Sequence, residues 1–240
     1  MDRRRLPVGI QTFREIREEG CYYVDKTSYA RRLANDAGKH YFLSRPRRFG
    51  KSLFVDTLKE LYEGAEGLFR GLAVHDPWDW SRRHPVVRLS FGAGNFKRPD
   101  ELRASALRQL DAAERRAAPG PLGRLLDTVR GRSPEPSGGD SAPGRFAALL
   151  ETLHRRTGRR VVVLVDEYDK PILDALDDAE RAKANRDDLR GLYGTLKDCD
   201  AHVELSFITG VSRFSKVSLF SGLNNLVDPT LDPDYSAICG

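Results

Sequence analysis

The chain reads as an α/β fold built on a mainly parallel sheet, and three features of the sequence predict it. Val161-Val162-Val163-Leu164-Val165 is a β-branched run with no polar face, as expected of a strand covered by helices on both sides. Tyr41-Phe42-Leu43 is a second short apolar strand that runs through a basic loop into a helical pattern, with Phe54, Leu58, Leu61 and Tyr62 on one face. Strand and helix patterns alternate along most of the chain, which predicts three layers with about five strands in the middle one.

Taken in order, Thr12 to Glu19 predicts a short helix after Pro7 and Gly9, Cys21 to Val24 an extended lead, and Ser28 to Asn35 a second helix. These elements precede the Tyr41 strand directly, so they either wall a ligand site beside it or cap the sheet. The helix after Lys51 ends at Gly64 and Gly67, and Pro85 introduces a strand over Val86 to Phe91. Pro99 stands where the next helix begins, with Leu102, Ala106, Leu110 and Ala113 in register. Residues 118–144 are rich in Pro, Gly and Ser and are expected to be a flexible surface insertion. Phe146, Leu149, Leu150 and Leu153 mark a helix that Gly158 stops, and Leu189, Leu192, Tyr193 and Leu196 mark another. A strand over Val203 to Ile208 follows, and a last short one is expected near Pro229 to Leu231. The chain stops abruptly at Ile238-Cys239-Gly240, as at a fragment boundary.

Composition narrows the class. At 240 residues, 40% hydrophobic and 31% charged, residues 1–240 are expected to form one domain. The 40 basic and 35 acidic residues leave a net charge of +5, which permits nucleic-acid contact without arguing for it. Cys21, Cys199 and Cys239 lie far apart with no ligand-spaced histidine, so neither a disulfide framework nor a zinc site is expected. No apolar run is long enough for a signal peptide or a bilayer span, so a cytoplasmic location and no membrane partner are expected.

Two stretches carry chemistry. In Arg47-Arg48-Phe49-Gly50-Lys51-Ser52-Leu53 a loop opens a helix: Gly50 leaves room for a phosphate, the free N–H groups of the first helical turn point at it, Lys51 neutralises it, and Ser52 offers a hydroxyl to Mg2+. The full phosphate-loop pattern would begin with glycine at position 45, where Arg45 stands, and Pro46 stiffens the turn instead. In the second stretch, Asp166 and Glu167 close the buried Val161 strand, at the end of the sheet where open parallel sheets bind ligands. Asp166 is placed to hold the metal, and Glu167 to deprotonate an attacking water. The Val203 strand runs into Thr209-Gly210-Val211-Ser212-Arg213, polar residues within reach of a terminal phosphate, with Arg213 as a source of positive charge. Each motif alone also has a bland reading, as a helix cap or a solvent loop.

LPVGIQTFREIREEG, YYVDKT, YFLSRPRRFGKS, VVVLVDEYDKPIL, FITGVSRFSKVSLFSGLNNL and YSAICG occur in this order, and with them the chain resembles a divergent AAA-ATPase-like family of bacterial proteins. The resemblance implies a three-layer P-loop NTPase with ATP and Mg2+ as cofactors. Gly50, Lys51 and Ser52 then form the end of Walker A, Asp166 and Glu167 form Walker B, and Thr209 to Arg213 is sensor-like. It places the Val203 strand between the Tyr41 and Val161 strands, with Thr209 beside both motifs. It further implies that a nuclease-like domain of the PD-(D/E)xK type often follows. The expected function is an ATPase that drives or gates an attached or partner domain, with nucleic acid and a homo-oligomer as open partner readings. A nucleotide-binding regulator without efficient hydrolysis is the alternative that Arg45 keeps open.

Overall fold

Runs that alternate between two apolar faces become the strands β1 (His40–Ser44), β2 (Val86–Ser90), β3 (Val161–Asp166), β4 (Val203–Gly210) and β5 (Leu226–Val227). In the computed structural model, which describes residues 5–117, 141–213, 219–220, 223 and 225–239, they form one sheet in the order β2-β3-β4-β1-β5. Every pairing in it is parallel. The helices are α1 (Phe13–Glu18), α2 (Thr27–Asn35), α3 (Lys51–Tyr62), α4 (Glu66–Phe69), α5 (Glu101–Ala117), α6 (Ala142–Thr157), α7 (Lys170–Leu173) and α8 (Ala179–Asp198). β4 lies between β1 and β3, so the two strands that carry the chemical motifs flank a common neighbour, as the family resemblance implied.

The strand period of two sorts the core into layers. Phe42, Val87, Leu89, Val163, Val165 and Ile208 pack with Leu110 of α5, Leu150 of α6 and Leu192 of α8. Tyr41, Leu43, Val162, Leu164, Leu205 and Phe207 pack on the other face with Leu33 of α2 and with Leu58 and Leu61 of α3. Burial on both faces is why β3 carries no polar residue before Asp166. Buried Asp56 of α3 ties the second layer down, accepting from the Phe13 amide at 2.7 Å and pairing with Arg88 of β2 at 2.8 Å.

Two expectations fail locally. The insertion expected over 118–144 does not extend to its last residues: Ser141 caps α6, accepting from the Gly144 amide at 3.2 Å, and Pro143 sits in the first turn. Residues 118–140 lie outside the described residues. The final strand is Leu226–Val227, paired with His40 and Tyr41, rather than a strand near Pro229 to Leu231. Pro229 lacks the N–H a ladder needs. Thr230 uses its side chain instead, accepting from the Ser44 amide at 3.0 Å. Among the described residues no helix is long and apolar enough to cross a membrane.

Candidate active site

At the C-terminal end of β1 the chain turns through Arg45 to Gly50 into α3. Gly50 is left-handed, φ 80°, and no side chain caps the helix behind it, so its first N–H groups stay directed at the space before it. Arg48 is also left-handed, at φ 67°. The Lys51 ammonium, 7% exposed, curls back to donate to the carbonyls of Arg45 at 2.8 Å and Pro46 at 2.9 Å. Burial pulls its pKa below the usual amine range, opposed by the negative charges of Asp166, Glu167 and Asp169. The side chain is therefore poised among carboxylates at the mouth of the loop.

Across the sheet, β3 ends in Asp166, 3% exposed, whose Oδ1 accepts from the Thr209 hydroxyl at 3.5 Å. The chain then swings through Glu167 at φ 53°, a left-handed conformation uncommon for a side chain of this size. Burial, helped by the negative Asp166 beside it, raises the Glu167 pKa above the ordinary carboxylate value. A carboxyl of raised pKa at a cleft suits a group that must take up a proton.

Two cavities share Gly50 and Leu53 as lining residues. The first, about 690 Å³, is the more polar of the two, lined by Arg47, Arg48, Lys51, Ser52 and Glu167 together with Val8 to Gln11 and Val211. The second, about 430 Å³, is largely apolar, lined by Leu6, Pro7, Tyr22, Phe49, Phe54 and Ile238 among others. Cys239 belongs to that wall, its thiol pushed up to about 11 by burial, so it packs there as a neutral group. Of the N-terminal region, Val8 to Gln11 line the first space, and Leu6, Pro7, Ile16 and Tyr22 to Val24 line the second. Asp25 is structural, accepting from the Thr27 amide and hydroxyl and from the Ala73 amide.

Of the expected site residues, Arg47, Arg48, Gly50, Lys51, Ser52, Leu53 and Glu167 line the polar cleft and Phe49 lines the apolar cavity, while Asp166, Thr209 and Arg213 line neither. Thr209 is fully buried, with its hydroxyl on Asp166, which is itself 3% exposed. Arg213 is not in the wall of the polar cleft; it pairs with Asp228 at 2.8 Å. Sequence reasoning missed Asp169 and Gln11. Gln11 lines the cleft from a coil segment with no local pattern, while Asp169 is reached only through contacts forty-odd residues away.

Arg45, at the position of the absent glycine, points away from the polar cleft. Its amide donates to the Gly210 carbonyl at 3.2 Å, and its guanidinium donates to the carbonyls of Ser44, Thr230 and Tyr235. It joins the phosphate loop to the tail after β5. Arg45→Gly is expected to keep the amide bond but lose the three guanidinium bonds and about 1 to 3 kcal/mol of stability, read by urea unfolding, while turnover stays measurable. Complete inactivity of the folded variant would put the guanidinium into the chemistry.

A five-stranded parallel α/β sheet with a glycine-lysine-serine loop at one strand end and paired acids at another defines a P-loop NTPase-like protein. The predicted AAA-ATPase family model matches residues 7–220, and the chain belongs to that family. It is 54% identical over 241 residues to an "uncharacterized protein in vnfD 5'region" of Azotobacter chroococcum mcd 1. That alignment takes in the whole of this chain and 43% of the relative, so the chain spans under half the relative's length. No solved structure matches the chain.

Proposed function

We propose that the chain binds ATP with Mg2+ and hydrolyses its γ-phosphate, and that the cycle drives or gates an attached or partner domain. The carrying observation is the pair of cavities that share Gly50 and Leu53 as walls: one of about 690 Å³ carries Arg47, Arg48, Lys51, Ser52 and Glu167, and a largely apolar one of about 430 Å³ lies beside the same loop. Lys51 and the loop N–H groups from Arg47 to Leu53 bind the phosphates, with Arg47 and Arg48 adding charge at the rim. Glu167 orients the attacking water and takes its proton. Thr209 steadies Asp166 from behind, and Arg213 serves the terminal phosphate only if its pair with Asp228 opens.

The residues present fit Mg2+. Ser52 lines the cleft and Asp166 is a buried carboxylate with one weak hydroxyl donor, so the set is hard oxygen, and magnesium commonly takes one or two carboxylates plus substrate phosphates. Bound there, the ion would neutralise charge on the transferring phosphoryl group.

The apolar cavity favours adenine. Guanine has more polar edge to satisfy, and each unpaired buried polar group costs about 1 to 3 kcal/mol. In calorimetry with Mg2+ present, ATP is expected to bind at least about tenfold more tightly than GTP, and steady-state assays should show ATP-dependent phosphate release. Binding without phosphate release replaces this reading with that of a nucleotide-binding regulator; absence of binding removes both.

A further inference from the structure

Two positions beyond Glu167 stands a carboxylate that the proposed chemistry leaves unused. Asp169 is 1% exposed. It begins α7 but gives that helix no side-chain bond. Its side chain crosses to the end of β4 instead. Oδ2 accepts from the Ser212 amide and the Ser212 hydroxyl, each at 2.6 Å, and from the Val211 amide at 3.1 Å; Oδ1 lies 3.3 Å from the same Val211 amide.

The neighbouring turn reinforces the clamp. The Tyr168 amide donates to the Thr209 carbonyl at 3.0 Å, and the Tyr168 hydroxyl donates to the Ser212 carbonyl at 2.9 Å. Gly210 makes the approach possible, because a Cβ there would come within 2.4 Å of the Tyr168 ring and 2.6 Å of Asp169 Oδ1. Thr209, Val211 and Ser212 are therefore all bound to the turn that carries Asp166 and Glu167. Val211 lines the polar cleft, and the Thr209 hydroxyl touches Asp166.

We infer that Asp169 is a positioning residue for hydrolysis, locking the end of β4 to the Asp166–Glu167 turn so that both walls of the phosphate cleft keep one geometry. The inference rests on the ATPase reading above. A carboxylate is required because it accepts at both oxygens and donates at neither, and it faces only donors here. Asn that keeps its oxygen on Ser212 turns its N–H groups toward the Val211 amide, 3.3 Å from Oδ1, and so loosens Val211 in the cleft wall, while the Tyr168 bonds hold the rest of the turn and the phosphate loop keeps its own bonds through Lys51.

The test compares the full chain with its Asp169→Asn and Ser212→Ala variants, measuring kcat, KM and calorimetric ATP affinity, with thermal unfolding as a check on the fold. For Asp169→Asn, kcat is expected to fall about 10- to 100-fold, in keeping with the cost of an ångström-scale misplacement, while KM and affinity stay within about threefold. Ser212→Ala removes one donor and should show the same split at a few-fold. An unchanged kcat in folded Asp169→Asn, or an equal loss of kcat and affinity, overturns the inference. If Asp169→Asn does not fold, Ser212→Ala decides, and an unchanged kcat there overturns it. Should the unsubstituted chain bind ATP without releasing phosphate, the ATPase reading falls and this inference with it; turnover in the unsubstituted chain, undiminished in the variants, removes this inference alone.

Discussion

Glu167→Gln is expected to bind ATP as tightly as the unsubstituted chain and to hydrolyse it about 10²- to 10⁴-fold more slowly, the usual effect of removing a general base and about 3 to 5 kcal/mol of barrier. Glutamine keeps the shape and a hydrogen-bonding group but cannot take the proton. Calorimetry paired with single-turnover phosphate release separates the two quantities. The same substitution has a stability signature of fixed sign. Because burial raises the folded-state pKa of Glu167, the folded chain holds that proton more tightly than the unfolded chain. Above the raised pKa the carboxylate is ionised in both states and its burial costs stability; below the unfolded value it is protonated in both and costs nothing. Glu167→Gln should therefore melt higher than the unsubstituted chain at neutral pH, and the difference should shrink as pH falls through the carboxylate range.

Lys51→Ala is expected to lower ATP affinity at least tenfold, measured by calorimetry. The ammonium is the cation nearest the α3 start, and charge-assisted bonds contribute about 1.5 to 3 kcal/mol each. In the structure its donors go to the Arg45 and Pro46 carbonyls, which a bound phosphate would have to outcompete. The loss therefore sits toward the lower end of the range that isolated charge pairing suggests. Unchanged affinity would mean that the basic loop holds no phosphate.

The parts of this protein readable in one dimension are those whose physics is local. β3 declared itself because burial on both faces forbids polar residues, and α3 because its apolar spacing and opening glycine sit within one short stretch. The start of α6 was lost for a local reason too: serine, proline and glycine compose a loop and equally compose an N-terminal cap, and only the Ser141 to Gly144 bond tells which. Two-residue β5 has no periodicity to read, since His40 and Tyr41 alone define it. At the site, Lys51, Ser52, Asp166 and Glu167 were legible because each motif is contiguous. The partners that fix them were not. Asp169 meets Ser212, Arg213 meets Asp228, and Arg45 meets Tyr235 across separations that leave no trace in a window of a few residues.

The central place of β4 also fixes when the site can come into being during synthesis. β2 and β3 can pair as soon as both are made, but β1 has β4 as its long neighbour, with His40 opposite Ser206. Until residues beyond 200 leave the ribosome, β1 presents both edges and an apolar segment, Tyr41-Phe42-Leu43, with nothing to pair against. The growing chain thus passes through a stage with one finished strand pair and one open, aggregation-exposed edge. The polar cleft cannot close during that stage, because Val211 of its wall and the Thr209 partner of Asp166 are still to come.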